Sequence, residues 1–414
     1  MRRRLAIVCA AGFALALAAA AQQTSTLGVI WRGEAPPDPS PAAVQAEIAE
    51  KVGRLQRFMA AEELDGVLLT QVRNVGWLTA GRANTQIVLN KDVGAASLLV
   101  RKDGSKHLLC NGSEAGRLMD ESLAGLGYTL HQFPWYEANP VKDVRGDVLR
   151  GIVGAGRIGS DAPFPGTVPL PDRFRRLRYR FTDGDLERYR WLGAQAAGAV
   201  EAVCRRLEPG QGESAIEAMA AAELRSRGIL PTVLLIAVDE RVARYRHALP
   251  AGAVLKKYAM VNVVAEKWGM SVAVTRFVHF GPLPEDLRNR LEKTARVNAR
   301  FQAATVPGKP CAEIFEECKA WYAEAGFPDE WQKHHQGGAI GYDDREYVIY
   351  PGIQETVQER QPFAWNPTIT GAKVEDTIVA FSDHVEVITK TKDWPVIRVE
   401  LDGKIYDQPG ILVK

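Results

Sequence analysis

The chain has 414 residues, with 52 basic and 50 acidic side chains and a formal net charge of +2. This balance produces no strong electric field, so neither nucleic acid nor an anionic membrane surface is expected as a partner. The length suggests two domains, each long enough to bury a core of its own.

The first 22 residues predict a cleaved secretory signal peptide. They read MRRRLAIVCAAGFALALAAAAQ, with three arginines, an apolar run and small residues that end near Ala21. This order is typical of an export signal and not of a membrane span. The rest of the sequence offers no apolar stretch long enough to cross a bilayer. The mature protein is therefore expected to be periplasmic or secreted, without membrane attachment.

Residues 40–182 predict an α/β domain. An amphipathic helical pattern that starts near Val44 leads into the apolar strand VLLT. The segment AASLLVRKDGSKHLLC predicts a hairpin that turns at Asp103 and Gly104. A proline-rich tract at 162–177 carries turn signals, so the domain boundary is expected just after it, near Asp183.

Residues 183–414 contain an internal repeat that predicts two related halves. The segment PGQGESAIEAMAAAELRSRGI begins at Pro209 and PGKPCAEIFEECKAWYAEAGF begins at Pro307, and each reaches a glycine nineteen residues after its first proline. Each segment predicts a helix that ends at this glycine, Gly228 or Gly326. A longer helical pattern precedes each repeat and β-type runs follow it. We therefore expect an α+β domain in which two α-α-β halves surround a curved antiparallel sheet.

Five segments give the chain a resemblance to a known family. They are LDGVLLTQVRNVGWLTAG in the first domain and PGQGES, GMSVAVTRFVHFG, GGAIGY and GAKVEDT in the second. In this order they resemble creatinase, aminopeptidase P, prolidase and methionine aminopeptidase, which share the pita-bread fold. The resemblance implies a creatinase-like amino-terminal domain, a pita-bread catalytic domain, hydrolase chemistry and a homodimer.

The resemblance also implies where metal ligands should stand. Metal-dependent members hold two divalent ions with two Asp, one His and two Glu, so that a shared water becomes hydroxide at neutral pH. In this sequence the five positions hold Asn262, Ala273, Gly338, Asn366 and Glu375. Because one carboxylate cannot hold two ions, we expect no metal and no other cofactor.

Creatinase is the family's precedent for metal-free hydrolysis, and the resemblance implies that a histidine acts there as acid and base. The matching position is His247, and a histidine near its neutral pKa can take a proton from water and return it to a leaving nitrogen. Glu346 and Glu375 are predicted as catalytic carboxylates beside it. The alternative for His247 is an ordinary loop histidine bonded to the backbone.

A second group of residues is predicted to bind substrate, namely Arg345, His334, His335, Asn262, Asn366 and Arg246. Arg345 would hold a substrate carboxylate with its planar guanidinium, unless it forms a surface ion pair with Glu346. Arg246 is predicted either to bind a carboxylate or to be solvated. In an extended segment His334 and His335 alternate sides, so at most one of them should face the cleft.

These residues favour a metal-independent hydrolase that cleaves a C–N or related bond of a small, anionic, nitrogen-containing compound. The expected partner is a small-molecule or short-peptide substrate. Two alternatives remain: an Xaa-Pro aminopeptidase or dipeptidase with an unusual metal site, and a non-catalytic pita-bread binding protein. Polar residues replace polar ligands at several cleft positions, which favours a site with a changed function over a site that has lost its function.

Overall fold

The computed structural model describes residues 34–414, so the predicted signal peptide at 1–22 lies outside the described residues. It shows a mixed α+β chain with one sheet before residue 183 and further sheets after it. The predicted fold class is confirmed. No helix within 34–414 combines the length and the apolar character that a membrane crossing requires.

The amino-terminal part is a six-stranded mixed sheet covered by helices. Its strands are β1 (Gly66–Gln71), β2 (Val93–Arg101), β3 (Lys106–Asn111), β4 (Tyr128–Phe133), β5 (Ile158–Ser160) and β6 (Val168–Pro169), in the spatial order β4-β3-β2-β1-β5-β6. Its helices are α1 (Pro41–Ala61), α2 (Val72–Leu78), α3 (Gly112–Arg117) and α4 (Arg145–Val153), with shorter helical turns at Leu118–Ser122, Trp135–Glu137 and Asp172–Arg178. The predicted hairpin is confirmed, because β2 pairs antiparallel with β3. Val100 lies opposite Lys106 next to the turn, and the pairing extends to Ala96 opposite Cys110.

The carboxy-terminal part combines two pairs of helices with two main sheets. Its helices are α5 (Asp183–Arg206), α6 (Glu213–Arg225), α7 (Glu240–Arg244), α8 (Glu285–Ala304) and α9 (Cys311–Glu324), with a helical turn at Glu330–Lys333. Its strands are β7 (Leu230–Val238), β8 (Tyr258–Lys267), β9 (Met270–His279), β10 (Gly337–Ala339), β11 (Tyr347–Val348), β12 (Pro362–Trp365), β13 (Thr368–Ile369), β14 (Ala372–Lys373), β15 (Asp376–Ala380), β16 (Val385–Val387), β17 (Val396–Leu401), β18 (Lys404–Pro409) and β19 (Ile411–Val413). The sheets have the orders β19-β9-β8-β7 and β11-β10-β12-β15-β16, and β13-β14 and β17-β18 are separate hairpins.

The two internal repeats form the predicted helices α6 and α9. The glycines after them, Gly228 and Gly326, have φ angles of 65° and 84°. Glycine is favoured there because this left-handed backbone carries a steric penalty for other residues. The longer helix α5 begins with a capping box, in which Thr182 and Asp185 each bond the other's backbone N–H at 3.1 Å. The α-α-β order of the two halves thus follows from local signals, whereas the domain division at 182 and 183 stays a prediction.

The two main sheets of the carboxy-terminal part meet along a seam beside β9. The backbone N–H of Ser271 donates to the carbonyl of Gly341 at 2.6 Å, and that of Thr275 donates to the carbonyl of Glu375 at 3.2 Å. This seam joins the two related halves of the domain. It also brings polar side chains from both sheets to one place.

A buried ion pair ties the amino-terminal part to this domain. Arg178, which ends the helical turn after β6, donates to Glu346 from Nε at 3.1 Å and from one NH2 nitrogen at 2.5 Å. Both side chains are at least 95% buried, and Arg178 also donates to Asn74 of α2. The forked geometry matches the carboxylate, which is the arrangement that a buried pair needs to offset desolvation.

We expect Arg178→Met to lower the free energy of unfolding by about 3 to 5 kcal/mol, because it leaves Glu346 buried without a cation. Urea unfolding at pH 7 measures this value. The matched control is Arg190→Met, which breaks the half-exposed pair with Glu386 and should cost less than about 1 kcal/mol. Equal losses in both variants would show that the buried pair contributes no more to the free energy of unfolding than the half-exposed pair.

Candidate active site

The side chain of Glu375 lies at the centre of the polar group on the seam. Asn262 Nδ2 donates to its Oε2 at 2.6 Å, and the Thr275 hydroxyl donates to the same oxygen at 2.6 Å. Lys373 Nζ lies 2.9 Å from Oε2, and a guanidinium nitrogen of Arg345 lies 3.5 Å from Oε1. Asn262 and Thr275 face each other across β8 and β9, so the sheet register fixes both donors.

The charge state of Glu375 follows from these contacts. Burial by itself would raise its pKa, but Lys373 and then Arg345 outweigh burial and lower the pKa of Glu375 to about 2. The carboxylate is therefore ionised at neutral pH and surrounded by donors. Such a group orders its neighbours, whereas a general acid or base needs a pKa near the working pH.

Lys373 is a site residue that the sequence patterns did not predict. It stands two residues before Glu375 in the segment GAKVEDT, on the two-residue hairpin strand β14. Residues i and i+2 of an extended segment lie on the same face, so this spacing is the signal that could have found it. Its side chain is 92% buried, which is unusual for lysine unless a carboxylate compensates the charge.

Three histidines form a second group beside Glu375. Nε2 of His247 lies 2.8 Å from Nε2 of His334, and the rings of His334 and His335 have centroids 4.1 Å apart. One nitrogen from each of the three rings falls within 4.8 Å of the others. The expectation that only one of His334 and His335 would reach the cleft is wrong, because both rings turn towards His247 although the backbone at His334 is extended.

Their surroundings disfavour the protonated form of all three histidines. Burial, followed by neighbouring positive charge, lowers the pKa of His334 to about 3 and that of His335 to about 4. Burial and Lys373 also lower the pKa of His247, which is the most exposed of the three. A neutral imidazole keeps a lone pair, so these rings can accept protons or bind a cation.

Arg345 and Asn366 have polar atoms that are free to bind a ligand. Arg345 makes only a 3.2 Å contact to the carbonyl of Asp344 and the 3.5 Å contact to Glu375 within the described chain, and 21% of its side chain is exposed. Asn366 is buried, and its Oδ1 has no hydrogen-bond partner among residues 34–414. A buried acceptor without a partner carries a free-energy cost, which a bound ligand would remove.

Two predicted site residues are committed to other partners. Glu346 pairs with Arg178, and so the alternative of a surface pair between Glu346 and Arg345 is wrong. Arg246 pairs with Glu330 and donates to Thr370 Oγ1 at 3.0 Å. These contacts engage the partly exposed guanidinium of Arg246 with Glu330 and Thr370, and the pair with Arg178 leaves the catalytic role predicted for Glu346 without a geometric basis.

The residues at the five metal-ligand positions do not fit a two-metal centre. Ala273 is fully buried in an apolar cluster with Val264, Ile340 and Ala364. A Cβ on Gly338 would lie 2.2 Å from the carbonyl oxygen of Tyr347, so a histidine there would require the backbone to move. The one remaining carboxylate, Glu375, already has Lys373 as its cation.

Comparison with known protein families gives a match within the carboxy-terminal part. Residues 187–387 match the model of metallopeptidase family M24. This part of the chain is therefore similar to the family, in agreement with the resemblance to creatinase, aminopeptidase P and prolidase. A comparison with curated protein sequences gave no match.

Solved structures share the fold of almost the whole chain. The Xaa-Pro dipeptidase from Bacillus anthracis is 18% identical with a TM-score of 0.69, and the match covers 89% of this chain and 100% of that one. The prolidase from Pyrococcus horikoshii OT3 is 19% identical with a TM-score of 0.68, covering 83% and 99%. The dipeptidase PepE from Mycobacterium ulcerans is 18% identical with a TM-score of 0.67, covering 84% and 97%. At these identities the matches establish the fold, and the activity must be argued from the site.

We expect Lys373→Met to destabilise the chain by about 3 to 5 kcal/mol at pH 7, because it removes the cation beside a buried carboxylate. Adding Glu375→Gln should recover part of this loss, since the amide carries no charge. Lys390→Met is the control, because its pair with Asp407 is half exposed and should contribute less than about 1 kcal/mol. Urea unfolding of the four proteins gives the comparison.

The stability lost in Lys373→Met should depend on pH. Because the folded-state pKa of Glu375 is depressed, its stabilising effect is complete above its ordinary pKa of 4.5 and disappears as the pH falls towards about 2. The stability difference between the parent and Lys373→Met should therefore be larger at pH 7 than at pH 3. A difference that does not change with pH would contradict the ion pair.

Proposed function

We propose that the protein is an exported hydrolase that cleaves a C–N or related bond of a small, anionic, nitrogen-containing compound without the two-metal centre of its family. One observation carries this proposal. His247, His334 and His335 cluster within 4.8 Å, His334 lines a small cavity together with Lys373, and Lys373 and Arg345 both contact the buried carboxylate of Glu375. The cations favour an anionic ligand, and the histidines supply lone pairs for proton transfer. A homodimer, as in the family it resembles, is part of the proposal.

His247 is the proposed general acid and base. When its Nε2–H donates to Nε2 of His334 at 2.8 Å, its Nδ1 keeps a lone pair. Nδ1 takes a proton from a water molecule whose oxygen attacks the substrate carbon. The same proton then passes to the leaving nitrogen as the C–N bond breaks. His334 positions the ring, in the way that a base is oriented by a third group in catalytic triads.

Arg345 and Asn366 are proposed to orient the substrate. The Arg345 guanidinium binds the anionic group, since a planar fork matches a carboxylate. Asn366 Oδ1, which lacks a partner within the described chain, accepts an N–H of the substrate. Glu375, with Asn262, Thr275 and Lys373 around it, keeps the neighbouring cations in place.

The second candidate is an Xaa-Pro dipeptidase or aminopeptidase. The structural relatives named as Xaa-Pro dipeptidase and prolidase favour it, and a dipeptide also presents a carboxylate to Arg345. It would need metal ligands other than the five family positions. The two candidates therefore differ in how they respond to metal.

We expect hydrolysis to persist after treatment with a chelator. The test uses chelator-treated protein, a panel of N-acyl and N-carbamoyl amino acids, and Ala-Pro with and without Mn²⁺ or Co²⁺. His247→Ala should lower kcat/KM by about 100-fold or more, because it removes the acid and base. His384→Ala is the control, since this exposed ring bonds Asp383 on the surface. Cleavage of Ala-Pro that requires added metal would establish the peptidase instead, and saturable binding without turnover would establish a binding protein.

Arg345→Met should raise KM by about 10- to 100-fold with a smaller effect on kcat, as expected for the loss of a charged hydrogen bond to the substrate. Arg345→Lys should recover only part of the loss, because an ammonium cannot bind a carboxylate with two parallel bonds. Steady-state kinetics on the substrate found in the panel measures both variants. An unchanged KM would remove Arg345 from the binding site.

A further inference from the structure

The three histidines have an arrangement that suits a single metal ion. One nitrogen from each ring lies within 4.8 Å of the others, and the His247 and His334 nitrogens are 2.8 Å apart. Three imidazole nitrogens bound at about 2.0 to 2.1 Å around a tetrahedral ion lie about 3.3 Å from one another. Binding would therefore require the His247 and His334 nitrogens to move apart by about 0.5 Å from their present 2.8 Å. We propose that His247, His334 and His335 bind one divalent transition-metal ion.

This site is separate from the two-metal position of the family. It uses none of the five family positions, four of which hold no side chain that binds divalent ions well. Its ligands come from the loop after α7 and from the segment before β10. The adjacent residues His334 and His335 both turn inward, which concentrates three of the seven histidines of the chain at one point.

A second observation points to a ligand at this place. Nδ1 of His334 is buried and has no hydrogen-bond partner within residues 34–414. Metal binding would cost two existing contacts, the bond between His247 and His334 and a 3.2 Å bond from the Gly337 N–H to His335 Nδ1. Each is replaced by a coordinate bond to the ion, and rotation of the His334 ring can expose its second nitrogen.

The ligand type selects the ion. Imidazole suits Zn²⁺, Co²⁺, Ni²⁺ and Cu²⁺, whereas Mg²⁺ and Ca²⁺ prefer oxygen ligands. Three histidines leave a fourth coordination position for water or an anion. Lys373 and Arg345 oppose a divalent ion, and Glu375 offsets one of these charges, so binding should be weaker than at a closed structural zinc site.

Metal binding would have a consequence for catalysis that rests on the proposed function. A coordinated His247 cannot take a proton from water, so the ion should inhibit the metal-independent hydrolysis. The binding itself rests only on the three side chains. Direct measurement of binding therefore separates the two proposals.

The experiment titrates the chelator-treated mature protein with Zn²⁺ by calorimetry, and with Co²⁺ by visible absorption. We expect one ion per chain and the intense visible bands of four-coordinate Co²⁺. His334→Ala and His335→Asn should each weaken binding by about tenfold or more, since even indirect supports of metal ligands have effects of this size. Thermal unfolding of each metal-free variant checks that it folds.

The matched control is the double variant His107→Ala, His131→Ala. These rings also meet, at 3.0 Å, but on the neighbouring strands β3 and β4 of the amino-terminal sheet. The control should keep the Zn²⁺ affinity of the parent. Loss of binding in the control alone, or unchanged binding in folded His334→Ala and His335→Asn, would overturn the site. Zn²⁺ binding without any hydrolysis would sustain the site and reject the proposed function, and hydrolysis without Zn²⁺ binding would do the reverse.

Discussion

The ion pair of Lys373 and Glu375 is the interaction on which the site depends. A carboxylate as buried as Glu375 needs a compensating charge, because an unpaired buried ion costs several kcal/mol in lost hydration. The family resemblance implies that divalent ions supply this charge in metal-dependent members. Here a lysine two residues away supplies it, while Asn262 and Thr275 satisfy the same oxygen with neutral donors. The carboxylate stays ionised and fixed without a metal.

A lysine can replace the charge of a metal ion but not its chemistry. A metal lowers the pKa of bound water so that hydroxide forms at neutral pH, whereas an ammonium group that donates to Glu375 offers water only a hydrogen bond. In the proposed metal-independent mechanism, the proton of water therefore goes to a base. His247 is the most exposed of the three lone-pair donors beside the ion pair, which is why the proposed mechanism assigns the proton to it.

The sequence predicted those features whose signals lie within a few neighbouring residues. The repeats at Pro209 and Pro307 predicted helices because a Pro-Gly turn and a helix-ending glycine act within a few residues. Contacts between distant segments were not predictable in this way. Glu346 meets Arg178 across 168 positions of sequence, and no pattern near either residue indicates the other. His334 and His335 lie between the helical turn that ends at Lys333 and β10, which begins at Gly337, so strand alternation does not describe where their rings lie. Lys373, by contrast, could have been found from its spacing to Glu375.

The charges around the cleft also link substrate binding to proton transfer. Burial, together with the nearby cations Lys373 and Arg345, lowers the pKa values of the histidines, so in the free protein a protonated His247 is disfavoured. Under the proposed function, an anionic substrate bound at Arg345 would reverse part of this effect, because a nearby negative charge stabilises an imidazolium. His247 then holds the proton of water more readily when the substrate is present than when the cleft is empty. Under this proposal, Lys373 and Arg345 favour proton transfer to His247 in the complex with the substrate over proton uptake in the free protein.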